Sequence, residues 1–133
     1  MWHELNSEQA VKEFLQSIAH FHDSCLKSFS YVSGAYVDSE LSMHPLNDKR
    51  TLNMVFQRQF EEFTTFELEF YGLEQLNYAP ADTSWSCEID SAKLYLKDGL
   101  IWLEHPGTRL SEANVGPVMN LVCAAGCRWR SVE

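Results

Sequence analysis

Apolar residues near the start of the chain recur with the spacing of one buried helical face. They are Ala10, Val11, Phe14, Leu15, Ile18 and Ala19. Intervals of three and four residues predict an amphipathic helix that packs this stripe against a core. Asn6 or Ser7 can cap its first turn, and Asn6 with Gln9 also fits a capping box. We expect the helix to end between His20 and Asp23.

After this helix the pattern changes to alternation of apolar and polar residues, which is typical of antiparallel strands. The predicted strands cover residues 25–33, 35–43, 50–59, 64–71, 85–90, 93–97, 100–104 and 118–132, the last with a bend at Gly126. In the strand over 64–71, Phe66, Leu68 and Phe70 share the core face, so Glu67 and Glu69 should face water. The segments 44–48, 78–84 and 105–116 are predicted loops.

The dipeptide Asp98-Gly99 lies between two alternating runs and predicts a two-residue type I′ hairpin turn. Counting outward from this turn places Tyr95 opposite Trp102. The same register brings Lys93 opposite Glu104, where the two charges attract each other.

These elements predict one α+β domain over residues 1–133, in which an N-terminal helix packs on a mainly antiparallel sheet of about six to eight strands. A hydrophobic content of 45% is enough for a real core. No segment has the length of a membrane span or the pattern of a signal peptide, so we expect a cytoplasmic protein with no membrane partner. No cofactor motif is present, and we expect no cofactor.

The charge of the chain is negative, with 10 Lys and Arg against 19 Asp and Glu, for a formal net charge of −9. This balance argues against nucleic acid as a partner, because phosphate recognition needs clustered cations. Residues 59–104 hold ten acidic residues against two lysines. A field of one sign on the sheet would attract a basic protein partner. The alternative is a solvated face that keeps the protein soluble.

The side chains predicted to bind such a partner combine acidic residues of this region with nearby aromatic rings. They are Glu67, Glu69, Tyr71, Glu88, Asp90, Tyr95 and Trp102. Aromatic anchors among charged residues are typical of protein interfaces. An equally good interpretation is that the helix or neighbouring loops cover these aromatic rings.

His20, His22 and Asp23 form the densest group of possible metal ligands. In an extended chain the two imidazoles point to the same side, whereas in a helix they point about 200° apart and cannot share an ion. A structural role at the junction between helix and strand is the competing interpretation. The four cysteines, Cys25, Cys87, Cys123 and Cys127, are predicted to be free thiols. No catalytic motif is present, and the sequence leaves open whether the protein is an enzyme.

Four segments together carry a resemblance to a group of small uncharacterised bacterial proteins. They are Phe21-His22-Asp23-Ser24, the run from Ser30 to Tyr36, Gln57-Arg58-Gln59 and Lys97-Asp98-Gly99. Some domains that look like these are grouped with immunity proteins, which bind and neutralise a cognate bacterial toxin. The resemblance implies a non-catalytic inhibitor, with Phe21, His22 and Asp23 as positions that mark the family. On this hypothesis the acidic and aromatic sheet face covers a basic active site of a toxin. A metal- or small-molecule-binding protein or enzyme centred on His20, His22 and Asp23 is the alternative.

Overall fold

The computed structural model describes residues 1–81, 83–84, 86–107 and 118–132. It contains one helix, α1 (Glu8–Ser17), followed by a short 3-10 turn over Ala19–Phe21. The strands are β1 (His3–Glu4), β2 (Ser24–Val32), β3 (Tyr36–Val37), β4 (Met43–His44), β5 (Thr51–Arg58), β6 (Thr65–Asn77), β7 (Lys93–Lys97), β8 (Leu100–Gly107) and β9 (Val118–Val132). The predicted α+β class, with an N-terminal helix on an antiparallel sheet, is confirmed. In the described residues no helix is long and apolar enough to span a membrane.

Seven strands form one antiparallel sheet in the order β2-β5-β6-β9-β8-β7, and β1 joins it beside β9. The long strand β9 lies in the middle, with β6 along one side and β8 followed by β1 along the other. β2 and β7 are the two edges. The separate ladder of β3 and β4 pairs only two residues of each strand.

The core lies between α1, the 3-10 turn and one face of the sheet. Phe14 of α1 contacts Phe66 of β6, with ring centroids 6.0 Å apart. Phe21 of the turn is fully buried and packs against Phe56 and Phe66. Ala19, His20 and Phe21 all have positive φ angles near 55–65°, a left-handed conformation that costs energy in residues with a Cβ. Burial of Phe21 offsets this cost.

The helix cap and the hairpin can be compared directly with their predictions. Ser7 is the N-cap, and its Oγ accepts a hydrogen bond from the Ala10 amide at 3.1 Å. The capping box of Asn6 with Gln9 is wrong, because the N-cap is Ser7 and not Asn6. The hairpin register is confirmed in full, from Lys97 opposite Leu100 to Lys93 opposite Glu104.

Several predicted strand boundaries are wrong. Residues 35–43 do not form one strand, because Asp38 accepts bonds from two backbone amides and closes a tight turn between β3 and β4. In the predicted strand 85–90, the described residues make only an isolated bridge between Ser24 and Ile89. β6 runs six residues beyond its predicted end, and β8 enters the predicted loop 105–116. Residues 82, 85 and 108–117 lie outside the described residues.

Strand β9 continues through Gly126 as one strand, where the sequence also allowed a pair of strands. Gly126 faces Tyr71 on β6, and a Cβ added at this glycine would overlap the tyrosine ring. The missing side chain therefore makes room for Tyr71 on the outer face of the sheet.

We expect Gly126→Ala to lower the free energy of unfolding by about 1–2 kcal/mol, because the new methyl group displaces the Tyr71 ring. Urea denaturation measures this change. The control is the same substitution combined with Tyr71→Ala, where the cost should fall to a few tenths of a kcal/mol. An equal cost in both backgrounds would mean that the ring is not the obstacle.

Candidate functional site

Glu67 and Glu69 lie on the outer face of β6, where each is paired with an arginine of β9. Glu69 Oε1 accepts from Arg128 Nε at 2.7 Å and lies 2.6 Å from Arg128 Nη2. Glu67 Oε1 lies 2.9 Å from Arg130 Nε and 2.8 Å from Arg130 Nη2. The two carboxylate side chains are only 13% and 18% exposed. Both glutamates lie on the predicted outer face, but their arginine partners shield them from most of the solvent.

Neighbouring side chains make further contacts with these two glutamate–arginine pairs. Asn53 Nδ2 donates to Glu67 at 2.8 Å and to Glu69 at 3.1 Å. The Trp2 ring lies over both guanidinium groups, at 4.4 Å from each. Tyr71 donates to Glu4, and this hydrogen bond is the main cause that raises the tyrosine pKa to about 12. The pairing stabilises the sheet and neutralises much of its predicted acidic field.

The other residues predicted to bind a partner lie in two further places. Tyr95 and Trp102 stack on the outer face of the hairpin with nearly parallel rings, 6.4 Å apart. Glu88 and Asp90 are on the segment that crosses the beginning of β2, and they are not on a strand of the sheet. The seven residues therefore do not form one continuous acidic face. Their contact with a partner stays a prediction.

His22 interacts with Asp90 and Asp23. Its Nδ1 lies 3.2 Å from the Asp90 carbonyl oxygen, and its Nε2 lies 3.6 Å from Asp23 Oδ2. The Asp90 carbonyl first, and then the Asp23 charge, raise the pKa of His22. Among the described residues, no three possible ligands come close enough together to hold a metal ion. The geometry gives no support to a metal site at His20, His22 and Asp23.

We expect His22 to titrate above the ordinary histidine pKa of 6.5. Because the folded pKa is raised, this group stabilises the fold fully below pH 6.5, and the contribution is lost as pH rises through the folded pKa. NMR titration of the imidazole protons measures the pKa. Asp23→Asn should lower it toward 6.5. A wild-type value below 6.5 would contradict the contact with Asp90.

A cavity of about 530 Å³ opens where β2 begins and β5 ends. Ser24 faces Arg58 and Cys25 faces Gln57 in this antiparallel pair. The residues around the cavity are Asp23, Ser24, Cys25, Gln57, Arg58, Gln59, Thr64, Ser86, Cys87 and Glu88. The cavity thus joins parts of two segments that carry the resemblance, Asp23-Ser24 and Gln57-Arg58-Gln59.

Arg58 is the unusual residue of this cavity. Arg58 is only 5% exposed. Its Nε and Nη1 atoms are buried and have no hydrogen-bond partner among the described residues. The guanidinium carbon lies 3.4 Å from the ring centroid of Phe60 and 5.0 Å from that of Phe63. Burial lowers the pKa of Arg58, and the charge of Glu62 opposes this effect. The Ser24 hydroxyl is likewise buried and unpaired within the described structure.

Burial of Nε and Nη1 without acceptors in the described part of the chain is costly, and stacking on Phe60 and Phe63 offsets only part of the lost hydration. The missing acceptors are those of an anion, and a carboxylate or phosphate presents them in the geometry that arginine prefers. Gln57, Gln59 and Thr64 add amide and hydroxyl groups around the same space. The arrangement can therefore bind an anionic group.

Arg58 was not predicted as a site residue. The signal was present in the strand pattern, because Arg58 is in phase with Leu52, Met54 and Phe56 on the inward face of β5. A charged side chain at an apolar position of an alternating strand marks a buried charge.

All four cysteines are free thiols, as expected, with Cys123 and Cys127 buried in the sheet. Burial is the main cause that raises the pKa of both thiols. A raised pKa makes the reactive thiolate scarce, which argues against a nucleophilic role for either thiol. Cys127 belongs to the hydrophobic core.

The comparisons with known proteins assign no function and no ligand to this site. The resemblance to immunity proteins therefore stays a prediction. No family model, curated protein or solved structure matches the chain.

Proposed function

We propose that this protein is a non-catalytic binding protein that recognises an anionic group of its ligand at Arg58. The observation that carries the proposal is the buried guanidinium with two unpaired nitrogens beside an open cavity. An anion that accepts hydrogen bonds from Arg58 would remove the cost of this orphaned charge. An ion pair that forms between protein and ligand, away from water, is among the stronger contacts in recognition.

The surroundings of Arg58 support recognition of a group that enters from solvent. Phe60 covers the guanidinium and is itself 46% exposed, so a modest movement of this ring opens a path to the charge. Gln57 and Gln59 flank Arg58 in the chain and line the same cavity. Their amides can donate to a second oxygen of the anion.

NMR of the wild-type protein tests this proposal. We would titrate sodium acetate and sodium phosphate separately, with sodium chloride at matched ionic strength as the reference. The expected result is a saturable shift of the Arg58 Nε–H signal and of the Gln57 and Gln59 backbone amides with at least one anion. Arg58→Gln should remove the amide shifts, and Arg50→Gln, on an arginine outside the cavity, should leave them unchanged. No saturable shift with either anion would overturn the proposal.

A protein partner is the second candidate function, and the exposed apolar surface of β2, β3 and β4 favours it. Its side chains are Phe29, Tyr31, Val32, Tyr36, Val37 and Met43, all among the exposed large apolar residues. Large exposed apolar side chains are typical of interaction surfaces. A toxin neutralised by this protein would contact the β3-β4 ladder in place of the paired Glu67 and Glu69. Tyr36→Ser with Val37→Ser should weaken binding of such a toxin at least tenfold, and unchanged affinity would overturn this reading.

A further inference from the structure

A second groove, of about 510 Å³, adjoins the Arg58 cavity along strand β2. Cys87 lines both spaces, and the consecutive residues Cys25 and Leu26 line one each. The groove is mostly apolar, and its side chains include Leu26, Phe29, Tyr78, Pro80, Ala81 and Cys87. The shared Cys87 places the two spaces side by side, and a ligand that occupied both would pass beside this residue.

The walls of this groove are held in place by aromatic packing. The Phe29 and Tyr78 rings meet edge to face, with centroids 5.7 Å apart. Phe29 remains 41% exposed, so part of its ring is open to a ligand. Burial raises the pKa of Tyr78, which keeps its hydroxyl neutral at physiological pH. These surfaces suit an uncharged hydrocarbon group.

The charges around Arg58 select the kind of anion. Arg58 lines the cavity together with Asp23 and Glu88, and Glu62 is close enough to act on the Arg58 charge. A phosphate dianion would meet one cation and several negative charges. A single carboxylate carries half the charge of the dianion and therefore adds less repulsion.

We infer that the site takes an organic carboxylic acid, with the carboxylate at Arg58 and an apolar chain or ring in the groove beside Phe29. This inference rests on the proposed function and narrows its ligand from any anion to a carboxylate with an apolar remainder. The two spaces together have the size of a pocket for a small organic molecule. The apolar remainder supplies affinity, and the carboxylate fixes its orientation.

Isothermal titration calorimetry with acetate, hexanoate and phosphate tests the inference on the full chain. Hexanoate should bind at least about tenfold more tightly than acetate, since its extra methylene groups leave water. Phosphate should bind more weakly than either acid. Phe29→Ser should remove most of the advantage of hexanoate and leave acetate unchanged. Leu46→Ser, at an exposed apolar residue outside the groove, is the matched control.

The outcomes separate this inference from the proposal on which it rests. Equal affinity for acetate and hexanoate, or a preference for phosphate, would overturn the inference and leave an anion site at Arg58. Binding of no anion would overturn both. Retention of the hexanoate advantage in folded Phe29→Ser would place the hydrocarbon elsewhere and overturn the assigned groove.

Discussion

Arg58→Met is expected to raise the free energy of unfolding by about 1–3 kcal/mol and to abolish anion binding. The substitution removes a buried charge for which the described part of the chain provides no hydrogen-bond partner at Nε and Nη1. It keeps a side chain that can pack on Phe60 and Phe63. Replacement of a buried ionic group by an apolar one of similar volume is often stabilising. Urea denaturation without added anions measures the gain, and calorimetry measures the lost binding.

Arg50→Met is the matched control for this prediction. Arg50 is partly exposed, lies 3.7 Å from Glu74 and donates to the Leu73 carbonyl oxygen at 3.3 Å. We expect this variant to lose up to about 1 kcal/mol, because an exposed ion pair and one hydrogen bond disappear. A loss of stability in Arg58→Met larger than in Arg50→Met would show that the Arg58 charge is compensated within the fold. A stable protein that binds its ligand more weakly is the usual sign of a site that sacrifices stability for function.

Phe21→Ala is expected to lower the free energy of unfolding by about 3–5 kcal/mol. Phe21 is fully buried, and its ring packs against Phe14, Phe56 and Phe66 with centroids 5.3–5.9 Å apart. The alanine would also keep the left-handed backbone at φ 65° without the packing that offsets it. Denaturant unfolding followed by tryptophan fluorescence measures the loss.

Leu46→Ala provides the comparison, since this leucine is exposed and its substitution should cost less than about 1 kcal/mol. A similar loss in the two variants would contradict the central place of Phe21 in the core. The three residues that mark the resemblance lie in different surroundings. Phe21 is a core residue, whereas Asp23 lines the cavity and His22 lies beside it.

The parts of the fold that follow from local sequence were predictable. The turn at Asp98-Gly99 sets its own register over five residue pairs, and the alternation in β5 and β6 identifies the buried face directly. The helix was predictable because its apolar stripe and its Ser7 cap are both local features. Errors arose where tertiary contacts decide the outcome, as at residues 86–90, which cross β2 without forming a longer ladder.

The candidate site was largely hidden for the same reason. Glu67 and Glu69 look free in the sequence because Arg130 and Arg128 are about sixty residues away, and only the pairing of β6 with β9 brings them together. The cavity depends likewise on the register that places Ser24 opposite Arg58. A charged residue in phase with the buried apolar residues of β5 was the one local sign of the site.

The central position of β9 affects the state of the nascent chain during synthesis on the ribosome. β9 is synthesised after every other strand of the sheet, yet β1, β6 and β8 all pair with it. Until β9 emerges, the nascent chain carries two unpaired strand edges and a half-covered apolar face, which are surfaces that chaperones recognise and that promote aggregation. Long-range pairing of this kind also slows folding after release. The chain must therefore remain protected until β9 has been made.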